Sequence, residues 1–215
     1  MSWIEVLSKL MFAYLLGSLS GSLILGRLRG VDVRQMGSGN AGGTNAFRTQ
    51  GWRFALGAVL MDVGKGMLAV WIAQRGVAHP ELVLRVGMGA AAAAVLGHVW
   101  PLFFGFKGGK GAATLIGALG MLWPLALLPL VLVWLLTMLL TGYVGLSTML
   151  GGIALTPLVW WAAPDTDRIL WLGAAVSIAV FLVFTHRSNI QRMRAGGEYR
   201  FERFRVIGRW LERRR

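Results

Sequence analysis

The chain has 215 residues, of which 56% are hydrophobic, 14% are charged and none is cysteine. Soluble domains carry about a quarter charged residues, so this composition is typical of an integral membrane protein. It excludes a disulfide framework, a cysteine nucleophile and a cysteine-ligated metal. The formal net charge of +13 predicts contact with anionic lipid headgroups rather than with nucleic acid, because the basic residues flank apolar segments.

Apolar segments long enough to cross a bilayer recur along the chain. Pro124 and the stretch 141–143 divide the longest of them. We therefore predict an all-α, polytopic transmembrane helix bundle with seven spans. Five spans are the alternative, in which the segment around Pro124 is re-entrant. The seven predicted spans are residues 10–25, 54–73, 82–99, 112–123, 125–140, 144–161 and 168–185.

Lysine and arginine are distributed unevenly between the predicted loops. Seventeen lie after the first span, after the third span or after residue 185, whereas four lie in the opposite loops. Because basic loops stay in the cytoplasm, we predict an external N-terminus and a cytoplasmic C-terminus, which require an odd number of spans. The predicted organisation is one transmembrane domain, residues 1–200, and a basic amphipathic cytoplasmic tail, residues 201–215. In the tail, Phe201, Phe204, Ile207 and Leu211 recur at helical spacing, which predicts an amphipathic helix that lies on anionic lipid, with a solvated basic tail as the alternative.

The first basic loop is rich in glycine and small polar residues. Four glycines lie within residues 37–43, together with Ser38 and followed by Thr44 and Asn45. Glycine allows successive N–H groups to turn toward one anion, and Arg48 adds a bidentate donor. The loop therefore predicts a phosphate site, with a flexible polar linker between helices as the alternative.

Two closely spaced charges, Asp62 and Lys65, lie inside the second predicted span. Their spacing of three places them on one helix face, and charges inside a membrane are usually functional or paired. A structural ion pair and a role in the site are both consistent with the sequence.

The second basic loop, Lys-Gly-Gly-Lys-Gly over residues 107–111, opens directly into the next predicted helix. A glycine turn at a helix N-terminus offers N–H groups and a favourable dipole to phosphate, and the two lysines add countercharge. The spacing is not that of an ATP-binding P-loop, because only three residues separate Gly105 from Gly109-Lys110 and Gly111 follows. The alternative is a lysine pair that snorkels to the interface.

The third basic segment starts directly after the last predicted span. If that span continues as a helix, His186 and Asn189 lie three residues apart on one face, where they can point toward a ligand. A histidine at the end of a span is more often a polar cap than a catalyst, so the sequence leaves both interpretations open.

Together these segments resemble the acyl-phosphate:glycerol-3-phosphate acyltransferases, the PlsY family of bacterial inner-membrane enzymes. Residues 37–45, 97–111 and 186–198 resemble three motifs of that family in order and spacing. Asp62 and Lys65 match a further family feature, so the resemblance covers nearly the whole chain.

The resemblance implies transfer of a fatty acyl group from acyl phosphate to the 1-hydroxyl of sn-glycerol 3-phosphate. The products would be lysophosphatidic acid and phosphate, in the first step of bacterial phospholipid synthesis. It further implies an inner-membrane location with a cytoplasmic active site and contact with the soluble enzyme that makes acyl phosphate. Because the P-loop spacing and a carboxylate cluster are both missing from the sequence, we predict that activity needs no cofactor and no metal.

The resemblance also implies roles for individual residues. Glu198 would be structural and pair with an arginine of the first basic loop. The implied roles are catalysis for Ser38, His186 and Asn189; glycerol 3-phosphate binding for Ser38, Arg48, Lys107, His186 and Asn189; acyl phosphate binding for Gly42, Gly43, Thr44, Asn45, Gly108, Gly109, Lys110 and Gly111; and structure for Asp62, Lys65 and Glu198.

Two other functions use similar residues. A membrane transporter of phosphate or a phospho-metabolite could use the anion-binding loops, but its site should lie near the midplane, whereas all three loops fall on one predicted side. A lipid phosphotransferase would need clustered aspartates for a metal, and the first loop has only Asp32. Within the acyltransferase interpretation we predict direct transfer without an acyl-enzyme, and His186 either acts as the base or only orients the substrate.

Overall fold

A computed structural model describes residues 1–212, and every regular element in that part of the chain is helical, which confirms the predicted all-α class. The contacts divide the chain into two compact units, Met1–Pro124 and Leu125–Arg215. The predicted domain boundary at residue 200 stays a prediction. The helices are α1 (Trp3–Gly17), α2 (Gly21–Leu28), α3 (Gly43–Gln50), α4 (Trp52–Gln74), α5 (Pro80–Val99) and α6 (Ala112–Leu122) in the first unit, and α7 (Leu127–Thr141), α8 (Val144–Ala162), α9 (Arg168–Thr185), α10 (Arg187–Arg194) and α11 (Val206–Glu212) in the second.

The helices fit a polytopic membrane protein. The number of spans depends on whether the bent pair α1–α2 and the short helix α6 are each counted as a span. The bent pair α1–α2 adds a sixth span to five clear ones, and α6 would add a seventh. With 11 residues, α6 is about 16 Å long, roughly half of a bilayer's hydrocarbon thickness. Seven spans and the predicted orientation therefore stay predictions. The five clear spans are Trp52–Gln74, Pro80–Phe104, Pro124–Thr141, Val144–Ala162 and Arg168–Thr185.

The first predicted span, residues 10–25, is a bent pair of helices rather than one continuous helix. α1 and α2 meet at 47°, and the backbone groups at the bend are paired with buried charges. The carbonyl of Leu19 accepts from Lys65 Nζ at 3.0 Å, and the Gly21 N–H donates to Asp62 Oδ1 at 3.0 Å. Side chains of α4 thus replace the helical hydrogen bonds that are missing at the bend.

Glycines bring α4 and α6 into backbone contact. A Cβ on Gly66 would overlap the carbonyl of Thr114, and a Cβ on Gly117 would overlap the carbonyl of Val63. Small residues at a crossing allow transmembrane helices to approach closely. The N-terminus of α6, which directly follows the second basic loop, is thereby fixed against the middle of α4.

In the second unit, α7 and α8 are joined by a tight turn at Gly142, whose φ of 75° is left-handed. This confirms the predicted break at residues 141–143. The start of the tail is anchored to the same turn, because the Phe201 N–H donates to the Gly142 carbonyl at 2.9 Å and Arg200 Nε donates to the Thr141 carbonyl at 2.8 Å.

The helix of the tail is shorter than its apolar periodicity predicts. α11 begins only at Val206, and Phe201 and Phe204 precede it. Gly208 lies against the carbonyl of Leu140, where a Cβ would overlap it, so α11 packs on the end of α7. Residues 213–215 of the predicted tail lie outside the described residues.

Candidate active site

The first basic loop is closed by one buried asparagine. Asn45 is 1% exposed, and its side-chain oxygen accepts from the Ser38 N–H at 2.9 Å. Its amide nitrogen donates to the carbonyls of Val33 at 2.8 Å and Met36 at 3.0 Å. Gly37 has a φ of 58°, and a Cβ there would overlap Asn45 Oδ1. The geometry therefore gives Asn45 the task of holding the loop, whereas its predicted contact with acyl phosphate stays a prediction.

The N-terminus of α3 follows this loop. The first intrahelical bond runs from the Ala46 N–H to the Gly42 carbonyl, so the N–H groups of Gly43 and Thr44 are among those that a helix leaves without intrahelical partners. Such groups and the helix dipole favour an anion. Arg48 is exposed and lies one turn beyond Thr44 on the same helix face, so α3 aligns a guanidinium with its own N-terminus.

Arg34, which is paired with Asp32, ties the first basic loop to the second through hydrogen bonds. Arg34 Nη2 pairs with Asp32 Oδ2 at 2.8 Å, while Arg34 Nη1 donates to the carbonyls of Phe104 at 2.8 Å and Lys107 at 3.1 Å. The hydrogen bonds from Arg34 lower the pKa of Asp32, and the same bonds raise the pKa of Arg34. The two carbonyls flank Phe106, whose φ of 58° is left-handed. The sequence prediction missed this Asp32–Arg34 clamp, whose only local signal is an Asp-x-Arg spacing before the glycines.

The two central glycines of the second basic loop turn back onto the end of α5. The Gly108 N–H donates to the Val99 carbonyl at 3.1 Å, and the Gly109 N–H donates to the His98 carbonyl at 3.1 Å. These two N–H groups therefore shape the turn and do not add to the predicted phosphate cradle.

The donors of this loop lie instead at the N-terminus of α6. Gly111 has a φ of 89° and is the N-cap residue, and the first intrahelical bond runs from the Leu115 N–H to its carbonyl. The first N–H groups of α6 consequently lack intrahelical acceptors. Lys107 is exposed and Lys110 is half-buried, so two cations accompany this helix N-terminus.

In the second unit, His186 separates α9 from α10 and is 5% exposed. Its Nδ1 lies 2.8 Å from the carbonyl of Leu182. Because a carbonyl only accepts, Nδ1 carries the hydrogen and Nε2 is the acceptor nitrogen of the neutral ring. The His186 carbonyl accepts from the Asn189 N–H at 2.8 Å, so the two predicted site residues are linked through the backbone.

Glu198 accepts hydrogen bonds from two other side chains of the third basic segment. Its Oε1 accepts from Asn189 Nδ2 at 2.8 Å, and its Oε2 accepts from Arg192 Nε at 2.7 Å. The arginine partner is therefore Arg192 of the same segment, and not an arginine of the first basic loop as expected from the sequence. Asn189 also packs against Gly145 of α8, where a Cβ would lie 2.8 Å from Nδ2. The Asn189 side chain is thereby fixed in one position.

The ion pair predicted inside the second span is present, and it has a third member. Asp62 Oδ1 lies 2.9 Å from Lys65 Nζ and 3.3 Å from His98 Nδ1. The sequence prediction noted the pair but gave His98 no role beyond its motif. In the described residues, no group of three or more histidine, aspartate or glutamate side chains is arranged to hold a metal ion.

The chain matches one family model along most of its length. The model, described as glycerol-3-phosphate acyltransferase, matches residues 7–196. A glycerol-3-phosphate acyltransferase of Chlorobaculum parvum is 37% identical, over 87% of this chain and 93% of the relative. A protein of the same name from Escherichia fergusonii is 41% identical, over 86% of each chain.

Two solved structures share the fold. One is the crystal structure of PlsY (YgiH), an integral membrane glycerol 3-phosphate acyltransferase, in its glycerol 3-phosphate form. Its TM-score is 0.80 at 37% identity, over 91% of this chain and 95% of that chain. The other is the lysophosphatidic acid form, with a TM-score of 0.81 at 35% identity, over 94% of this chain and 98% of that chain.

Proposed function

The chain belongs to the glycerol-3-phosphate acyltransferase family, and we propose that its acyl donor is an acyl phosphate. It is a multi-pass membrane enzyme that acylates glycerol 3-phosphate in phospholipid synthesis. The family favours this function over the transporter alternative. The observation that carries the proposed donor is the pair of anion-binding helix N-termini, at α3 and α6, which the Asp32–Arg34 clamp joins within the first unit. The phosphate head of an acyl phosphate would bind at backbone donors of this kind.

We assign glycerol 3-phosphate to the cationic and hydroxyl side chains. In the first unit, Ser38, Arg48 and Lys107 would bind it. In the second unit, His186 and Asn189 stay our predicted catalytic residues. The acyl phosphate head would bind mainly at backbone N–H groups. The residues that we assign to its site are Gly42, Gly43, Thr44, Asn45, Gly108, Gly109, Lys110 and Gly111. Of these, the N–H groups that begin α3 and α6 have the geometry for an anion, whereas Gly108 and Gly109 would shape the site.

The reaction needs little covalent help from the protein. The 1-hydroxyl oxygen of glycerol 3-phosphate attacks the acyl carbonyl carbon, the bond from that carbon to the phosphate oxygen breaks, and inorganic phosphate leaves. Because a mixed anhydride is already activated, positioning and stabilisation of charge supply most of the catalysis. The hydroxyl proton goes either to the leaving phosphate or to His186 Nε2, which is the acceptor nitrogen of that ring.

We place the active site on the cytoplasmic side of the bacterial inner membrane, where acyl phosphate would arrive from the soluble enzyme that makes it. The uneven distribution of lysine and arginine supports this side. The tail adds support, because α11 packs on the end of α7 and exposes Val206, Arg209 and Trp210. Apolar, aromatic and basic side chains together are typical of a segment that lies on anionic headgroups. We expect tighter binding of the tail to the bilayer, and higher activity, in vesicles with anionic lipid than in neutral vesicles. An Arg209→Glu variant should lose that difference.

The test of the function is an assay of purified protein in detergent with acyl phosphate and glycerol 3-phosphate, in the presence of EDTA. We expect lysophosphatidic acid and phosphate in equal amounts. An acyl thioester should not replace acyl phosphate as the donor. Product formed only from the thioester, or only after magnesium is added, would contradict the proposal. Double-reciprocal plots should intersect, because direct transfer requires both substrates bound together.

A further inference from the structure

Three ionisable side chains meet inside the first unit and are closed to solvent. The side chains of Asp62, Lys65 and His98 are 1%, 4% and 3% exposed. Lys65 Nζ lies 2.9 Å from Asp62 Oδ1, 2.9 Å from His98 Nδ1 and 3.0 Å from the carbonyl of Leu19. An ammonium group has three N–H donors and no acceptor, so each donor of Lys65 has one partner in this network.

This arrangement fixes the tautomer of His98. Because Lys65 donates to Nδ1, the hydrogen of the neutral His98 ring lies on Nε2. The Nε2 edge of the ring is the edge that lies against Gly109, since a Cβ on Gly109 would overlap Nε2. The buried pair therefore orients a ring whose opposite edge touches the second basic loop.

The same residues set the backbone of that loop from two directions. The carbonyl of His98 accepts the Gly109 N–H at 3.1 Å, while the ring limits where Gly109 can lie. One residue after Lys65, Gly66 lies against the carbonyl of Thr114 in the first turn of α6. α4 thus positions both the turn before α6 and the N-terminus of α6 itself.

We propose that Asp62, Lys65 and His98 form a positioning network that sets the shape of the Lys107–Gly111 turn for its phosphate substrate. The network acts through the contact between the His98 ring and Gly109, and its members do not touch the substrate. This inference rests on the proposed function, in which that turn belongs to the acyl phosphate site.

A purely structural ion pair explains less of the geometry. The pair by itself would stabilise the bend between α1 and α2, but this task does not require His98. Buried ion pairs are weak sources of stability compared with apolar packing, and charges kept inside a membrane usually have a function. A positioning role explains the histidine, because His98 extends from the ion pair to Gly109 of the site.

The test is a double-mutant cycle on the contact between His98 and Gly109. His98→Asn keeps an amide oxygen that can accept from Lys65 at the place of Nδ1, but it removes the ring edge at Nε2. Gly109→Ala adds the Cβ that overlaps this edge. Each single variant should raise the KM for acyl phosphate by about ten- to a hundredfold, since a displacement of about 1 Å costs up to a hundredfold. The KM for glycerol 3-phosphate should change less than the KM for acyl phosphate.

In the His98→Asn background, Gly109→Ala should cost much less, because the atom that its Cβ overlaps is gone. Gly108→Ala is the matched control. Its Cβ would overlap the backbone carbonyl of His98, which the His98→Asn substitution retains, so its effect should be equal in both backgrounds. Thermal unfolding of each variant in detergent identifies those that fail to fold.

The outcomes separate this inference from the proposed function. Wild-type protein that makes no product from acyl phosphate would contradict the function. If the wild type is active, additive effects of His98→Asn and Gly109→Ala would overturn the network, as would equal changes in both KM values. If His98→Asn reduces the effect of Gly109→Ala only on the KM for glycerol 3-phosphate, the network is supported and the turn is assigned to glycerol 3-phosphate instead of acyl phosphate.

Discussion

The two units hold their functional loops with different electrostatic devices. In the first unit, the side chains of Asp62, Lys65 and His98 are at most 4% exposed and act on the backbone of the second basic loop. In the second unit, Glu198 pairs with Arg192, whose side chain is 35% exposed, and the same carboxylate fixes the side chain of Asn189. The buried device shapes a turn of the main chain, whereas the more exposed one fixes a single side chain.

Burial determines how much each group of charged residues contributes to folding stability. Removing one partner of a buried pair leaves an uncompensated charge and destabilises a protein by about 3–5 kcal/mol. A pair with one partly exposed partner is partly screened by solvent, and exposed pairs contribute about 0–1 kcal/mol. We therefore expect substitutions in the first device to reduce folding stability and substrate binding, and substitutions in the second to reduce turnover with little loss of stability.

The largest expected effect is on stability. Asp62→Ala should lower the free energy of unfolding by about 3–5 kcal/mol, because it leaves the Lys65 ammonium buried with one acceptor fewer and the Gly21 N–H without its acceptor. Reversible denaturation in detergent would measure this loss. Arg192→Ala is the matched comparison, with an expected loss below about 1 kcal/mol. Similar losses for the two variants would mean that burial does not distinguish the devices.

The next effect tests the phosphate contact in the first unit. Arg48→Ala should raise the KM for glycerol 3-phosphate by about ten- to a hundredfold, since hydrogen bonds between charged groups contribute about 1.5–3 kcal/mol. Arg48→Lys should restore binding only in part, because an ammonium cannot form the bidentate fork. Arg53→Ala, which removes an exposed arginine nearby in the sequence, is the control and should leave both KM values unchanged. Normal kinetics for Arg48→Ala would remove this residue from the site.

A third substitution tests the contacts of Glu198 with Asn189 and Arg192 in the second unit. Glu198→Gln leaves one acceptor oxygen for two donors, Asn189 Nδ2 and Arg192 Nε. We expect kcat to fall about tenfold, which corresponds to about 1.4 kcal/mol, while the KM for acyl phosphate and the unfolding free energy stay close to wild type. Glu202→Gln, at an exposed glutamate four residues further along the chain, should have no effect on kcat. If Glu198→Gln instead raises the KM for acyl phosphate, the proposed division of roles is wrong.

The sequence was sufficient for features that depend on local chemistry. Pro124 and Gly142 mark the ends of helices because proline and a left-handed glycine act on their immediate neighbours. The spacing of Asp62 and Lys65 predicted their pairing because residues three apart on a helix are neighbours. The helical tail was predicted too long, because periodicity alone does not show that the segment before Val206 bonds instead to the α7–α8 turn.

Features that depend on distant contacts could not be predicted in this way. His98 meets Lys65 from another helix, 33 residues away in the chain. Arg34 reaches the carbonyl of Lys107 across 73 residues. The N–H groups of Gly108 and Gly109 looked like phosphate donors because the sequence does not show that the end of α5 already accepts them. In each case the residue was visible in the sequence and its partner was not.

A smaller effect, on turnover, is expected from a substitution at His186. His186→Asn keeps an amide N–H that can replace Nδ1–H as the donor to the Leu182 carbonyl and removes Nε2. If the leaving phosphate takes the proton, turnover should fall less than about tenfold, whereas loss of a general base costs about 10²- to 10⁴-fold. The pH–rate profile should also keep its shape. A large loss of kcat together with an altered pH profile would make His186 the base.

The smallest effect is expected at the Asp32–Arg34 clamp, whose side chains are 31% and 27% exposed. Because the folded state lowers the pKa of Asp32, the clamp contributes stability above the ordinary carboxyl pKa of about 3.9, and this stability is lost as the pH falls through the lower folded value. Asp32→Asn should therefore reduce the unfolding free energy by less than about 1 kcal/mol near neutral pH, by a constant amount from about pH 5 to pH 8. The wild type and the variant should converge only in strong acid. Unfolding measured across this range would test the prediction, and a difference that changes between pH 5 and pH 8 would show that another group titrates with the clamp.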